Sequence, residues 1–252
     1  MHPVLFEIGS VKVYSYGAAL ALAFFLGAVL AMREAPRVGI EQEKILDLSI
    51  LIGIGALVGS RIAYIILDLP YYLETPMKII SREGGLSFHG GLIAGFLISF
   101  WYLKRHKIPV GVTADLIAPY VALGYAITRI GCLMYGCCYG KVSNLPWALA
   151  SSFVDNALRH PTQIYASLIN FVFFGLLLYL RDKKPFHGYL FVLYVGFYGL
   201  YRFGIEFFRD SDVFFGPVTL AQAISLLMIL ASALLIRLWP WKQVDKISDK
   251  KI

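Results

Sequence analysis

Thr128-Arg129-Ile130-Gly131-Cys132-Leu133-Met134-Tyr135-Gly136-Cys137-Cys138-Tyr139-Gly140 closes an apolar run that begins near residue 112. The run is long enough to cross a bilayer, which takes ~20 residues. An arginine stands near its end, and three glycines and all three cysteines of the chain follow within eleven residues. A charge inside such a run is expensive in lipid and marks a polar cavity or an interface. This stretch therefore decides the class of fold, and the other polar residues set in apolar runs are its expected partners.

The rest of the chain agrees. Of 252 residues, 58% are hydrophobic and 15% charged, against about 25% charged in an ordinary soluble domain. The apolar residues fall in long blocks without a polar face. That pattern predicts an all-α polytopic membrane protein and excludes disorder and repeat arrays. Seven spans are expected, at roughly 16–32, 46–67, 89–103, 112–135, 161–180, 187–207 and 217–238. Together they form one integral membrane domain, 1–240, followed by a charged tail, 241–252. The leader Met1–Ser15 has Lys12 as its one basic side chain, so the first run reads as a retained span and not as a cleavable signal peptide.

The net charge of +7 does not indicate nucleic acid, because the basic residues gather in short loops and the tail. One set of loops holds 14 of the 23: Arg33, Arg37, Lys44, Lys104, Arg105, Lys107, Arg181, Lys183, Lys184, Arg237, Lys242, Lys246, Lys250 and Lys251. The opposite set holds six: Lys12, Lys78, Arg82, Lys141, Arg159 and Arg209. The positive-inside rule then places the N-terminus outside and the C-terminus in the cytoplasm. The remaining three, Arg61, Arg129 and Arg202, fall inside expected spans.

Tyr16 opens the first span at its outer edge, where a belt tyrosine is the plainer reading. The second span carries Gly55-x-x-x-Gly59, a surface for close helix packing, and then Arg61, which either snorkels to the interface or serves a function. His89 lies in Ser87-Phe88-His89-Gly90-Gly91, at a sterically open helix mouth on the face of the cysteine stretch. Asp115 reads as structural, paired with a cytoplasmic lysine. Pro161 suits a first helical turn, with Thr162 and Gln163 serving that helix's unpaired amides. Tyr198, Arg202, Glu206 and Arg209, spaced four, four and three apart, share one helical face. Arg202 and Glu206 are expected to form an ion pair. Gln222 reads as packing.

An outward-facing polar cavity rich in arginine suits an anionic phospholipid headgroup, because guanidinium forks match phosphate oxygens. A histidine nearby can take a proton from an incoming nucleophile. These features predict transfer chemistry on a phospholipid, although a non-catalytic lipid-binding protein would carry the same arginines. Cys132, Cys137 and Cys138 leave a third reading open, a membrane thiol oxidoreductase, against which stands the lack of a Cys-x-x-Cys pair. The cysteine spacing is poor for zinc, which wants a fourth ligand. Buried inert thiols are the bland alternative.

Several segments together resemble the bacterial prolipoprotein diacylglyceryl transferase family. They are Val13–Gly17, Gly59-Ser60-Arg61, Gly85-Leu86-Ser87-Phe88-His89-Gly90-Gly91, Arg129-Ile130-Gly131, His160-Pro161-Thr162-Gln163-Ile164-Tyr165 and Tyr198–Arg209. The resemblance covers nearly the whole chain in order. It implies an enzyme of the bacterial cytoplasmic membrane that moves the diacylglyceryl group of phosphatidylglycerol onto the lipobox cysteine of a preprolipoprotein. Glycerol phosphate leaves and a thioether forms. No metal or soluble cofactor is implied. Arg129 matches the arginine that binds phosphatidylglycerol, and His89, Arg202 and Tyr16 match further functional positions. Beside it, Arg61, Tyr198 and Glu206 are expected to line or support the lipid site, and Gly136 and Gly140 to leave room for the headgroup. The sequence departs from the family's commonest central motif, Gly-Arg-x-Gly-Asn-Phe-x-Asn-x-Glu. Thr128, Cys132, Tyr135 and Cys137 stand at its first glycine, two asparagines and glutamate, so the three cysteines are features of this variant.

Overall fold

A computed structural model describes residues 2–9, 11–79, 85–150 and 156–239. Every expected span is a helix, with ends within a few residues of the expected ones. In chain order the elements are β1 (Val4–Ile8), β2 (Val11–Tyr14), α1 (Ser15–Glu34), α2 (Gln42–Leu67), α3 (Leu69–Glu74), α4 (Phe88–Arg105) and α5 (Val110–Tyr135). Then follow β3 (Leu149–Ala150), β4 (Leu158–Arg159), α6 (Thr162–Leu180), α7 (Tyr189–Glu206), β5 (Val213–Phe215), β6 (Val218–Thr219) and α8 (Leu220–Leu238). Arg82 and the charged tail 241–252 lie outside the described residues.

Among the described residues five segments are long and apolar enough to cross a membrane: Ser15–Val38, Gln42–Leu67, Val110–Tyr135, Thr162–Leu180 and Leu220–Leu238. The protein is thus an all-α membrane protein in its main elements. Helices α4 and α7 are less apolar. His89, Lys104 and Arg105 lower α4, and Arg202, Glu206 and four tyrosines lower α7.

The short strands were not expected. β1 and β2 form an antiparallel hairpin leading into α1, and Ser15 N–H closes it on Pro3 O at 2.9 Å. β3–β4 and β5–β6 are further two-stranded hairpins in the loops before α6 and α8. Strands this short leave almost no alternation to read.

The chain divides into two compact units, Met32–Val110 and the remainder. In the smaller unit α2 and α4 lie backbone against backbone. A side chain at Gly59 would collide with Ala94 and reach Gly90 O at 2.9 Å, and one at Gly91 would meet Ala56 O at 3.0 Å. The Gly55-x-x-x-Gly59 surface is therefore used against α4. Ser87 caps α4 by accepting from Gly90 N–H.

In the larger unit α5 runs among α1, α6 and α7. Gly131 meets Ala19 and the backbone of Ser15 and Tyr16, and Ser167 donates to Ala126 O at 3.0 Å. Buried Asp115 accepts from Gly188 N–H at 2.9 Å and Leu190 N–H at 2.8 Å, and pairs with Lys184 Nζ at 3.1 Å. Its carboxylate thus satisfies the orphan amides at the start of α7 and offsets the positive end of that helix dipole. The lysine pairing matches the structural role expected for Asp115. Gln222, expected merely to pack, completes a capping box with Thr219 at the start of α8.

Candidate active site

Arg129 stands two turns from the end of α5. Its guanidinium donates to Tyr125 Oη at 2.5 Å and lies 4.6 Å from the Tyr125 ring centre. Tyr125 in turn meets Tyr198 and Tyr201 of α7 edge-on at 5.5 and 6.1 Å. This aromatic wall shields one side of the charge and fixes its position, as a cation–π contact does. On another side an open cleft of ≈ 230 Å³ is lined by Arg129, Ile130, Leu133, Gln163, Leu168 and Phe171, among others. Its walls are chiefly apolar, with Arg129 and Gln163 among the residues that line it.

Arg202 and Glu206 form the expected ion pair at 2.5 Å. Glu206, 4% exposed, also accepts from Thr219 Oγ1 at 3.1 Å, and Arg209 Nε stands 4.0 Å away. The carboxylate is therefore held from α7 and from the cap of α8. It orients Arg202, whose charge stays only partly covered. Tyr198 belongs to the aromatic wall beside Arg129.

The cysteine stretch turns sharply at the end of α5. Gly136 has φ +90°, and its N–H donates to Cys132 O at 2.9 Å, a helix-ending turn that favours glycine. Cys138 is also left-handed, at φ +65°. Thr162 Oγ1 donates to Cys138 O and Gln163 Nε2 to Cys137 O, each at 2.6 Å, and Arg209 Nη1 reaches Cys138 O at 3.5 Å. Here the structure corrects the sequence reading. Pro161 is the residue before α6, without a side-chain cap, and Thr162 and Gln163 bind the cysteine loop and not their own helix. A one-dimensional reading favours the local partner, and the loop lies 24 and 26 residues away. Gln163 Oε1 and Arg209 Nε are buried without a hydrogen-bond partner.

The three thiols are free, and their sulfurs lie within 4.8 Å of one another. Cys132 is buried and the others half-buried. No other His, Cys, Asp or Glu group of three among the described residues converges in this way. The Cys138 thiol is held well below its usual range by thiol hydrogen bonds from Cys132 and Cys137, helped by the charges of Arg129 and Arg209. Gly140 does not leave the room for a headgroup that the sequence reading expected: a side chain there would strike Phe208 O and come within 2.9 Å of His160 and Thr162, so the glycine makes space for these neighbours. Tyr16 is part-exposed at the start of α1, where its Cα borders Gly131.

Arg61 and His89 belong to the other unit. Arg61 donates to Lys78 O at 2.9 Å, and to Ile79 O and Gly85 O at 3.3 and 3.4 Å, tying down the ends of the segment between α3 and α4. His89 is exposed on the first turn of α4, its ring 5.7 Å from that of Phe88.

Comparison with known proteins gives these features a family. The family model described as prolipoprotein diacylglyceryl transferase matches residues 3–238. A protein of Clostridioides difficile named phosphatidylglycerol–prolipoprotein diacylglyceryl transferase is 35% identical over 91% of this chain and 92% of its own length. One of the same name from Geobacter sulfurreducens is 34% identical over 90% and 91%. Another from Finegoldia magna is 33% identical over 99% and 100%. With an arginine-bearing membrane helix, an apolar cleft beside it and a match along nearly its full length, this chain belongs to the prolipoprotein diacylglyceryl transferase family.

Proposed function

We propose that this protein transfers the diacylglyceryl group of phosphatidylglycerol to the lipobox cysteine of preprolipoproteins, forming a thioether and releasing glycerol phosphate. The observation that carries the reading is Arg129, anchored by Tyr125 and lining an apolar cleft in a chain of this family. An acyl chain suits the cleft and a phosphate suits the guanidinium. In this reading Arg129 and Arg202 hold the phosphate as negative charge grows on the leaving oxygen. Glu206 positions Arg202, and Tyr198 supports the wall behind Arg129. Tyr16 borders the lipid site. His89 takes the proton of the acceptor thiol. Arg61 acts through the segment it ties down. Gly136 and Gly140 shape the loop behind the headgroup.

The same reading places one integral domain, 1–240, in the bacterial cytoplasmic membrane, with seven spans, the N-terminus outside and the tail inside. The names of the relatives favour the transferase over a thiol oxidoreductase or a non-catalytic lipid binder. The test is purified protein with phosphatidylglycerol and a synthetic lipobox peptide, read by mass spectrometry. A diacylglyceryl adduct on the peptide cysteine is expected, and Arg129→Ala should lose it by at least ~100-fold while remaining folded, as removal of a charge-stabilising donor does. Normal turnover by Arg129→Ala would remove Arg129 from the mechanism, and no adduct from wild-type protein that binds the lipid would overturn the activity.

A further inference from the structure

We propose that Cys132, Cys137 and Cys138 bind a zinc ion with one open coordination position, and that this position takes the thiol of the acceptor cysteine. The inference deepens the proposed transfer and rests on that reading. Its basis is geometric. The three sulfurs lie within 4.8 Å of one another. Zinc–thiolate bonds of ~2.3 Å in a tetrahedron set neighbouring sulfurs roughly 3.8 Å apart, so small side-chain movements close the site.

The convergence is built by the fold. Neighbouring residues of an extended chain direct their side chains to opposite sides, yet Cys137 and Cys138 direct theirs to one cluster. The left-handed backbone of Cys138, after the left-handed Gly136, makes this possible. Such a conformation is costly for a residue with a Cβ and persists where the surroundings enforce it. Here they do: Thr162, Gln163 and Arg209 hold the two carbonyls of the cysteine pair from α6 and from the end of α7. Three thiolates and one zinc ion carry a net negative charge, which Arg129 and Arg209 complement.

Three protein ligands and an open position mark a catalytic zinc site, whereas a structural site is closed by a fourth ligand. Among the described residues no fourth His, Cys, Asp or Glu joins the three sulfurs, which leaves the fourth position for a substrate. A coordinated thiol is deprotonated outright near neutral pH. When the acceptor thiol binds, it gives up its proton to the base of the proposed transfer. The sulfur lone pair then forms a bond to the terminal glyceryl carbon, and the carbon–oxygen bond to phosphate breaks. The electron pair leaves on the phosphate oxygen, as glycerol phosphate. No oxidant or reductant is consumed, and zinc does not change valence.

The test uses the reduced full-length protein in detergent, titrated with Zn²⁺ and, separately, with Co²⁺ as a spectroscopic probe. About one metal ion per chain is expected, with intense cobalt–thiolate charge-transfer and tetrahedral d–d absorption. Cys137→Ser and Cys138→Ser should each weaken binding at least ~10-fold. Thermal unfolding checks that both variants remain folded. A lipobox peptide should shift the cobalt bands, and the same peptide with Cys→Ser should not. Absence of the thiolate bands in folded, reduced protein overturns the proposal, as does binding of Cu⁺ without Zn²⁺ or Co²⁺. So does full transfer activity in a metal-free Cys132→Ala/Cys137→Ala/Cys138→Ala protein, which would leave the transferase reading standing. Metal binding with the peptide shift but no transfer from phosphatidylglycerol would instead support the metal site and overturn the lipid donor.

Discussion

Cys138 and Arg129 show how individual residues share one charge problem. A guanidinium in a membrane helix needs either a counter-charge or a polarisable surface. Arg129 has the Tyr125 ring and hydroxyl on one side, and the Cys138 thiol feels its charge on another. Because that thiol is shifted downward, it is ionised at pH values where an ordinary cysteine, with a pKa near ~8.5, is protonated. The sign of the prediction follows. In reduced protein treated with a chelator, alkylation of Cys138 by iodoacetamide should change little between pH 8 and pH 6. An ordinary thiol should slow roughly tenfold for each unit below its pKa. Peptide mass spectrometry after timed quenching reads each cysteine separately. A Cys138 rate that falls in step with an ordinary thiol would mean that the neighbouring thiols and arginines do not stabilise its charge.

Elements carry the next level of constraint, and their ends matter more than their middles. The start of α8 is set by the Thr219–Gln222 capping box, and the same Thr219 hydroxyl donates to Glu206. Thr219→Ala therefore removes a cap worth ~1 kcal/mol and also frees one oxygen of the carboxylate that orients Arg202. It should lower thermal stability modestly and reduce transfer activity, whereas Thr219→Ser should restore both; a loss of stability with unchanged activity would separate the cap from the site. In the smaller unit, Gly59→Leu puts a branched side chain where Ala94 and Gly90 O already stand. Such overpacking costs ~1–3 kcal/mol, and a clear fall in the unfolding temperature of the detergent-solubilised protein is expected. These elements also show what sequence reading can reach. The apolar runs, the Gly55–Gly59 surface and the Arg202–Glu206 pair depend on residues within one segment, so all were legible. The capping box was legible too, as Thr-x-x-Gln, but Gln222 read alone looked like packing. The partners of Thr162 and Gln163 were not legible, because those side chains bind carbonyls from another part of the chain. Nor was the convergence of three thiols, which requires the left-handed backbone at Cys138.

At the scale of the whole molecule the deciding quantity is how many times the chain crosses the membrane. Five segments qualify by length and hydropathy, and α4 and α7 are the two whose membership has to be argued. Between His89 and Lys104, α4 is an uninterrupted run of uncharged residues, short for a bilayer but within reach if its basic end snorkels. In α7 the two charges sit in the last turns and neutralise one another, with Glu206 buried against Thr219. Crossing by both helices is what the proposed seven-span arrangement requires, and in that arrangement the 14 loop and tail basic residues of the richer set face the cytoplasm. Parity makes the test sharp. If one of the two failed to cross, the C-terminus would lie outside, and a C-terminal green fluorescent protein fusion would be dark while a phosphatase fusion was active. If both failed, the C-terminus would stay inside but the loop between α6 and α7 would move outside. The substitution Asp182→Cys, made in a Cys132→Ser/Cys137→Ser/Cys138→Ser background, reports that case. Seven spans predict a fluorescent C-terminal fusion, and an introduced thiol that reacts with a membrane-impermeant maleimide only after the cells are permeabilised. Labelling of intact cells would exclude the seven-span arrangement and put Lys183 and Lys184 on the side of the membrane that the positive-inside rule forbids them.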